Sequence, residues 1–147
     1  MSRARAALLS AVISGLLPSA LPADAVPGFK VVVNASNPTS ALTREELGRL
    51  FLKKSTAWPG GKPALPIDQP TSVEARHAFS KDILHQGTND VAAYWNRMIF
   101  SGRGTPPSTK PSDADVIAYV RANPGAVGYV AADAPLGEGV KLLKVQD

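Results

Sequence analysis

What most limits the fold of this chain is a change of hydrophobic period that recurs from residue 29 to residue 145. Short β-branched runs alternate with stretches whose apolar residues return every three or four positions, the mark of strands alternating with helices. Phe29 to Val33 reads as a buried strand ending at Asn34, and the polar stretch from Ala35 to Ser40 reads as a loop. Thr43 and Glu46 have capping-box spacing, Leu42 and Leu47 occupy the hydrophobic-staple positions, and Leu47, Leu50 and Phe51 form one apolar face, so a first helix starts at this point.

The same logic continues along the chain. Trp58-Pro59-Gly60-Gly61 is a turn, and Ala64 to Ile67 is a short strand that Pro66 assigns to a sheet edge or a strand end. A second helix is expected from Ser72 to Leu84, with Thr71 and Glu74 as its capping box and Val73, Ala75, Ala78, Phe79 and Ile83 on its buried side. A third follows Gly87, capped by Thr88 or Asn89, with Val91, Ala92, Trp95, Met98 and Ile99 packing inward. Ser101 to Pro111 is too rich in Gly and Pro for a helix or central strand. Ser112 caps a fourth helix that ends near Ala122 before Asn123-Pro124-Gly125, and Ala126 to Val130 and Val140 to Val145 are two further strands. The sum is a single layered α/β domain without internal repeats.

Ahead of this domain, Arg3 and Arg5 precede a mostly apolar run from Ala6 to Leu21 and then Ala23-Asp24-Ala25, the order of charge, apolar core and small-residue site that marks a secretory signal peptide over residues 1–25. Ser10, Ser14, Gly15, Pro18 and Ser19 interrupt the run, which falls short of the roughly 20 apolar residues of a membrane span. Cleavage after Ala25 would leave residues 26–147, with 14 basic and 11 acidic side chains and a net charge of +3. The chain has no cysteine, which excludes a disulfide framework, thiol chemistry and a lipid-modified cysteine at the cleavage site. A soluble exported protein with no stable membrane insertion after cleavage is therefore expected. Its basic residues are scattered along the sequence without interleaved aromatics, which argues against nucleic acid, while a weak positive charge suits a small anion.

No catalytic constellation stands out, no cofactor is implied, and the expected protein is not an enzyme. His77 and His85, the only histidines, both fall in the expected second helix, eight positions apart, too far for a compact metal pair. No Gly-x-Ser-x-Gly elbow occurs. Glu45 with Glu46 and Asp113 with Asp115 sit in first helical turns, where the helix dipole favours negative charge. Three donor-rich segments suit an oxyanion better: the loop with Ser36, Asn37, Thr39 and Ser40; the Thr71-Ser72 helix start; and Ser101-Gly102-Arg103-Gly104-Thr105, where flanking glycines leave the Arg103 fork free to reach an anion.

Val31-Val32-Val33-Asn34, the Leu42-Thr43-x-Glu45-Glu46-Leu47 helix start, Leu50-Phe51, Trp58-Pro59-Gly60-Gly61, Phe79 and Gly125-Ala126-Val127-Gly128-Tyr129-Val130 occur in an order that resembles the phosphate-type periplasmic solute-binding proteins, the substrate-binding components of phosphate ABC transporters. The resemblance spans residues 29–130 and implies one lobe of a type II periplasmic binding protein, the second lobe with its return strand, where family members close two lobes around the ligand. It implies phosphate or another small anion as ligand and an ABC permease or other envelope protein as partner. The family's phosphate site in this lobe uses an arginine after a strand, then a Ser-Gly-Thr turn. The matching stretch in this chain is Asp68-Gln69-Pro70-Thr71-Ser72-Val73, with Gln69 in the arginine's place and no glycine in the turn. A neutral amide lacks the arginine's charge and fork. Ser36, Gln69, Thr71, Ser72, Ser101, Arg103 and Gly104 are the expected ligand-binding residues, with no metal ligand. The alternative is a non-catalytic interaction or accessory module of an envelope complex that has lost high-affinity binding.

Overall fold

A computed structural model describes residues 28–147; the signal peptide expected over residues 1–25 lies outside the described residues. Seven strands and four helices follow in the order β1 (Phe29–Asn34), β2 (Ala41–Thr43), α1 (Arg44–Phe51), β3 (Leu65–Asp68), α2 (Glu74–Ile83), α3 (Thr88–Phe100), β4 (Ser108–Thr109), α4 (Asp113–Ala122), β5 (Ala126–Ala131), β6 (Val140–Leu142) and β7 (Lys144–Gln146). The main sheet has the order β4-β3-β5-β1-β6. β3 pairs in parallel with both β4 and β5, while β1 runs antiparallel to β5 and β6, so four of the five strands point the same way.

The period-2 pattern divides the strand side chains between two cores. Phe29, Val31 and Val33 of β1 and Val127 and Tyr129 of β5 face α1, α2 and α3, where they meet Leu47, Leu50, Phe51, Phe79, Val91 and Trp95. Val32, Ile67, Ala126 and Val130 face the other way onto Val116, Ile117 and Val120 of α4. Both cores close within the described residues, so helices cover both faces of the sheet as the alternating pattern requires. Gly128 lets α4 approach: a Cβ there would stand 2.6 Å from Val116 Cγ1.

The first helix forms as its signals predict. Thr43 Oγ1 accepts from Glu46 N at 3.1 Å, Glu46 Oε2 accepts from Thr43 N at 2.8 Å, and Leu42 and Leu47 share the larger core. Ser112 likewise caps α4, accepting from Asp115 N at 3.2 Å. The tight turn at Trp58 closes through Gly61 N to Trp58 O at 2.8 Å.

Several expectations change. α2 begins at Glu74 rather than Ser72, and Val73 stands at its N-cap without a side-chain hydrogen bond, so the Thr71/Glu74 capping box does not form. Pro70 explains the shift: it fixes the chain in a turn, and Val73 N donates to Pro70 O at 3.1 Å before the helix can start. α3 is capped by the backbone of Gly87, not by Thr88 or Asn89. Ala92 and Ile99 are exposed on α3, while Met98 packs against the core as expected and Tyr94 joins it there. His85 follows the end of α2 in a left-handed conformation (φ 53°) and is not helical. The expected Val140–Val145 strand is two: Leu143 turns into the core, and β7 leaves to pair in parallel with β2, a segment whose residues suggest only loop and cap. β3 is not an edge; Pro66 sits near its start, and the two-residue β4 covers only Ile67 and Asp68.

Candidate functional site

The C-terminal end of β3 carries a buried polar cluster under the 69–73 turn. Asp68 is held by an ion pair with Arg76 of α2 and accepts from the Tyr129 hydroxyl and from Gln69 N. Tyr129 Oη also accepts from Gln69 N at 3.1 Å. The Gln69 amide donates to Tyr129 O at 2.8 Å and to Asp113 Oδ1 at 2.9 Å, and Asp113 Oδ1 accepts in addition from Ala131 N at 3.3 Å. β3, β5, α2 and α4 are thus tied together by side chains around one point. Gln69 and Arg76 are only 2% and 6% exposed, and Gln69 Oε1 and Arg76 Nε have no partner among the described residues.

Packing fixes this cluster from below. The Tyr129 ring stacks on Phe79 at 4.1 Å between centroids, and Phe79 in turn meets Phe51 and Phe29 edge-on or tilted. Burial pushes the Tyr129 phenol above its ordinary value of 10.0, while the Arg76 guanidinium and the hydrogen bond from Gln69 N pull the other way. The phenol is therefore a donor to Asp68, a carboxylate already paired with a cation.

Above the cluster the chemistry is different. Thr71 and Ser72 are exposed, and neither hydroxyl makes a hydrogen bond among the described residues. They precede a ten-residue helix with no side-chain cap, whose first backbone N–H groups have no partner within the helix and lie at the positive end of its dipole. The turn thus offers hydroxyl and amide donors, while the guanidinium of Arg76, in the first turn of α2, is spent on Asp68.

The other expected ligand residues lie elsewhere. Ser36 is at the far end of the sheet: Asn34 continues β1 past Val33, which pairs with Val127 at the start of β5, whereas Gln69 meets Tyr129 and Asp113 near its end. Four strand residues, about 13 Å at 3.3 Å each, separate the two levels. The Ser36 hydroxyl donates to Asn34 Oδ1 at 2.7 Å, and Asn34 Nδ2 donates to Val120 O and Arg121 O, both at 2.9 Å, so this loop fastens β1 to the end of α4. Ser101, Arg103 and Gly104 belong to the C-terminal end of α3. Ser101 is its C-cap, Gly102 is left-handed (φ 68°), and Arg103 N donates to Met98 O at 2.9 Å in a closed Schellman turn. The Arg103 backbone is therefore fixed, at a helix end whose dipole disfavours anions.

Sequence reasoning missed Arg76 and Tyr129 and read Asp113 only as a helix-start charge. Arg76 sits at a buried position of α2 facing the end of β3, and its place three residues into the helix, eight after Asp68, was the available signal.

A domain with this mixed five-stranded sheet, helices on both faces and a donor-rich turn after β3 has the architecture of one lobe of a periplasmic solute-binding protein. Among solved structures it is similar to phosphate-transport receptors. A Clostridium perfringens protein solved with bound phosphate and described as a phosphate ABC transporter substrate-binding protein matches with a TM-score of 0.64 and 17% identity over 80% of this chain and 44% of its own. An ABC-type phosphate transport receptor from Vibrio cholerae matches with a TM-score of 0.62 and 20% identity over 80% and 46%, and PstS from Borrelia burgdorferi with 0.62 and 14% over 82% and 47%. The chain spans less than half the length of these proteins, and at such identities the likeness is one of fold. No protein-family model and no curated protein sequence matches the chain. The fold expected from the ordered motifs is thus the fold observed.

Proposed function

We propose that this chain is a non-enzymatic, exported, one-lobed solute-binding domain that takes a small oxyanion, phosphate foremost, at the turn between β3 and α2. The uncapped start of α2 beneath the free hydroxyls of Thr71 and Ser72 carries the reading, since convergent donors at a helix N-terminus are what an oxyanion needs. The likeness to phosphate-transport receptors supports it. In this reading Gln69 acts from below, fixing the turn through Tyr129 and Asp113. Because Arg76 is already neutralised, binding is weak, and a second lobe or a partner such as an ABC permease completes the site.

Amide NMR shifts of residues 71–76 during titration with millimolar phosphate, sulfate and acetate test the proposal. Phosphate should move Ser72 to Ala75 most and acetate least. No movement there with any of the three would end the ligand-binding reading. Export is tested separately, by the mass of the protein recovered from the envelope, which should begin at Val26.

A second reading, an accessory module that binds a protein of the envelope, is favoured by one observation: Gln69 and Arg76, the two side chains best placed to recognise an anion, are both turned inward and bonded to the protein itself. A stable envelope partner together with silent phosphate titrations would select it.

A further inference from the structure

The end of α1 reaches α3 through Tyr94, and the C-terminal end of α3 carries an unusual surface. Phe100, the last residue of α3, is 91% exposed and its neighbour Ile99 is 49% exposed. At 100° per residue Phe100 points opposite to Val91 and Trp95, which anchor the helix in the core. Its outward companions are Ala92, Ala93, Asn96 and Arg97. Arg97 precedes Phe100 by one turn of α3, Arg103 lies in the turn that follows, and Lys53 and Lys54 stand just after α1; all four are exposed and none is in an ion pair among the described residues. Lys53 Nζ reaches Pro106 O at 3.5 Å, Lys54 Nζ lies 5.9 Å from the Tyr94 ring centre, and the Tyr94 hydroxyl donates to Leu52 O at 2.9 Å, which ties the end of α1 to the middle of α3. No acidic residue occurs in 47–67 or in 91–112, the two segments that carry these four basic residues.

Cations at helix C-termini have an ordinary explanation, because the dipole favours them there. That does not explain Phe100, nor Lys53, which is held at φ 53° in a position where glycine fits without strain. A single aromatic and a neighbouring isoleucine standing proud of the surface, with unpaired cations on the adjoining segments, supply little of the apolar share, somewhat over half of roughly 800 Å² per partner, that a stable protein interface buries. They match what an anionic bilayer surface takes: a wedge that enters between acyl chains and cations that meet the headgroups.

We infer that the α1–α3 end is a peripheral docking surface for membranes containing anionic phospholipid, with Phe100 and Ile99 as the inserted tip and Lys53, Lys54, Arg97 and Arg103 as its electrostatic collar. The domain from Val26 on, which holds both cores, is the form to test, by co-sedimentation with vesicles of phosphatidylcholine alone and with a phosphatidylglycerol admixture. Binding should require phosphatidylglycerol. It should fall about tenfold in Phe100→Ser and about thirtyfold in the double variant Arg97→Ser/Arg103→Ser. It should also be released when salt rises from about 0.1 M to about 1 M, which shortens the Debye length from roughly 10 to 3 Å. The side chains of Phe100, Arg97 and Arg103 make no hydrogen bonds or ion pairs among the described residues, so the variants should keep the parental unfolding curve. Absence from anionic vesicles, or undiminished binding by Phe100→Ser, would overturn the inference. So would association with soluble polyglutamate or a short DNA duplex in place of vesicles, which would make the face a site for a charged macromolecule.

Discussion

The turns at residues 69–73 and 101–105 look alike in sequence, each mixing hydroxyls with backbone-bending residues, and the fold makes them opposites. The first precedes a helix and presents donors at its positive end, with its charged residues buried and paired beneath. The second closes a helix, presents the negative end, and leaves its arginine exposed above a fixed backbone. The order of turn and helix along the chain, which composition does not encode, decides whether a Ser/Thr/Gly-rich segment can hold an anion. Disrupting the two turns should therefore have unlike consequences.

The largest effect is expected beneath the first turn. Arg76→Met leaves Asp68 as a buried carboxylate without its cation, and Asp68→Asn leaves the guanidinium unpaired; each should cost about 3–5 kcal/mol in urea unfolding. The double variant should recover part of that loss, because a buried pair costs desolvation on both sides. If either single variant unfolds like the parent, the cluster does not hold β3 to α2.

Tyr129→Phe sharpens the same side of the comparison. Removing the hydroxyl takes one donor from Asp68 and one acceptor from Gln69 N while keeping the stack on Phe79, so a loss of about 1–2 kcal/mol near neutral pH is expected. The pH dependence follows from the raised phenol. A group that binds its proton more tightly when folded contributes fully below its unfolded value near 10 and loses that contribution as pH rises through the folded value. Parent stability should therefore fall on the alkaline side of pH 10, and Tyr129→Phe should flatten that fall. An equal alkaline slope in both proteins would assign it to other groups.

Much of the scaffold was legible in the sequence because local chemistry dictated it. The Thr43–Glu46 box, the Ser112 cap, the Trp58 turn and the alternating runs of β1 and β5 all form as their residues require. The start of α2 misleads because Thr71 and Glu74 have the right spacing while Pro70 imposes another turn first. The site was less legible still. That Gln69 turns inward and that Arg76 meets Asp68 follow from tertiary packing of α2 on β3 and β5, and no local pattern encodes such a pairing. The strand Ala41–Thr43 exists only because β7 comes back to pair with it.

At the second turn the effect is smaller and purely conformational. Gly102 has φ 68° and nothing within 4 Å of where a Cβ would stand, so Gly102→Ala meets no clash and carries only the left-handed penalty of about 1 kcal/mol. A much larger loss would show that the end of α3 is packed more tightly than its exposure suggests.

The smallest effect on stability and the most telling one for function belong to Thr71 and Ser72. Both are exposed and neither hydroxyl is bonded among the described residues, so Thr71→Ala/Ser72→Ala should stay within about 0.5 kcal/mol of the parent. In the proposed site, however, those hydroxyls are half of what an oxyanion meets, the other half being amides that the substitution leaves in place. The double variant should thus weaken phosphate shifts at Glu74 and Ala75 several-fold without erasing them, whereas Ser101→Ala/Arg103→Ser should leave those shifts unchanged. The reverse outcome, phosphate sensitivity that follows Arg103 and ignores Thr71 and Ser72, would mean that a free guanidinium outweighs helix polarity, and the two turns would exchange roles.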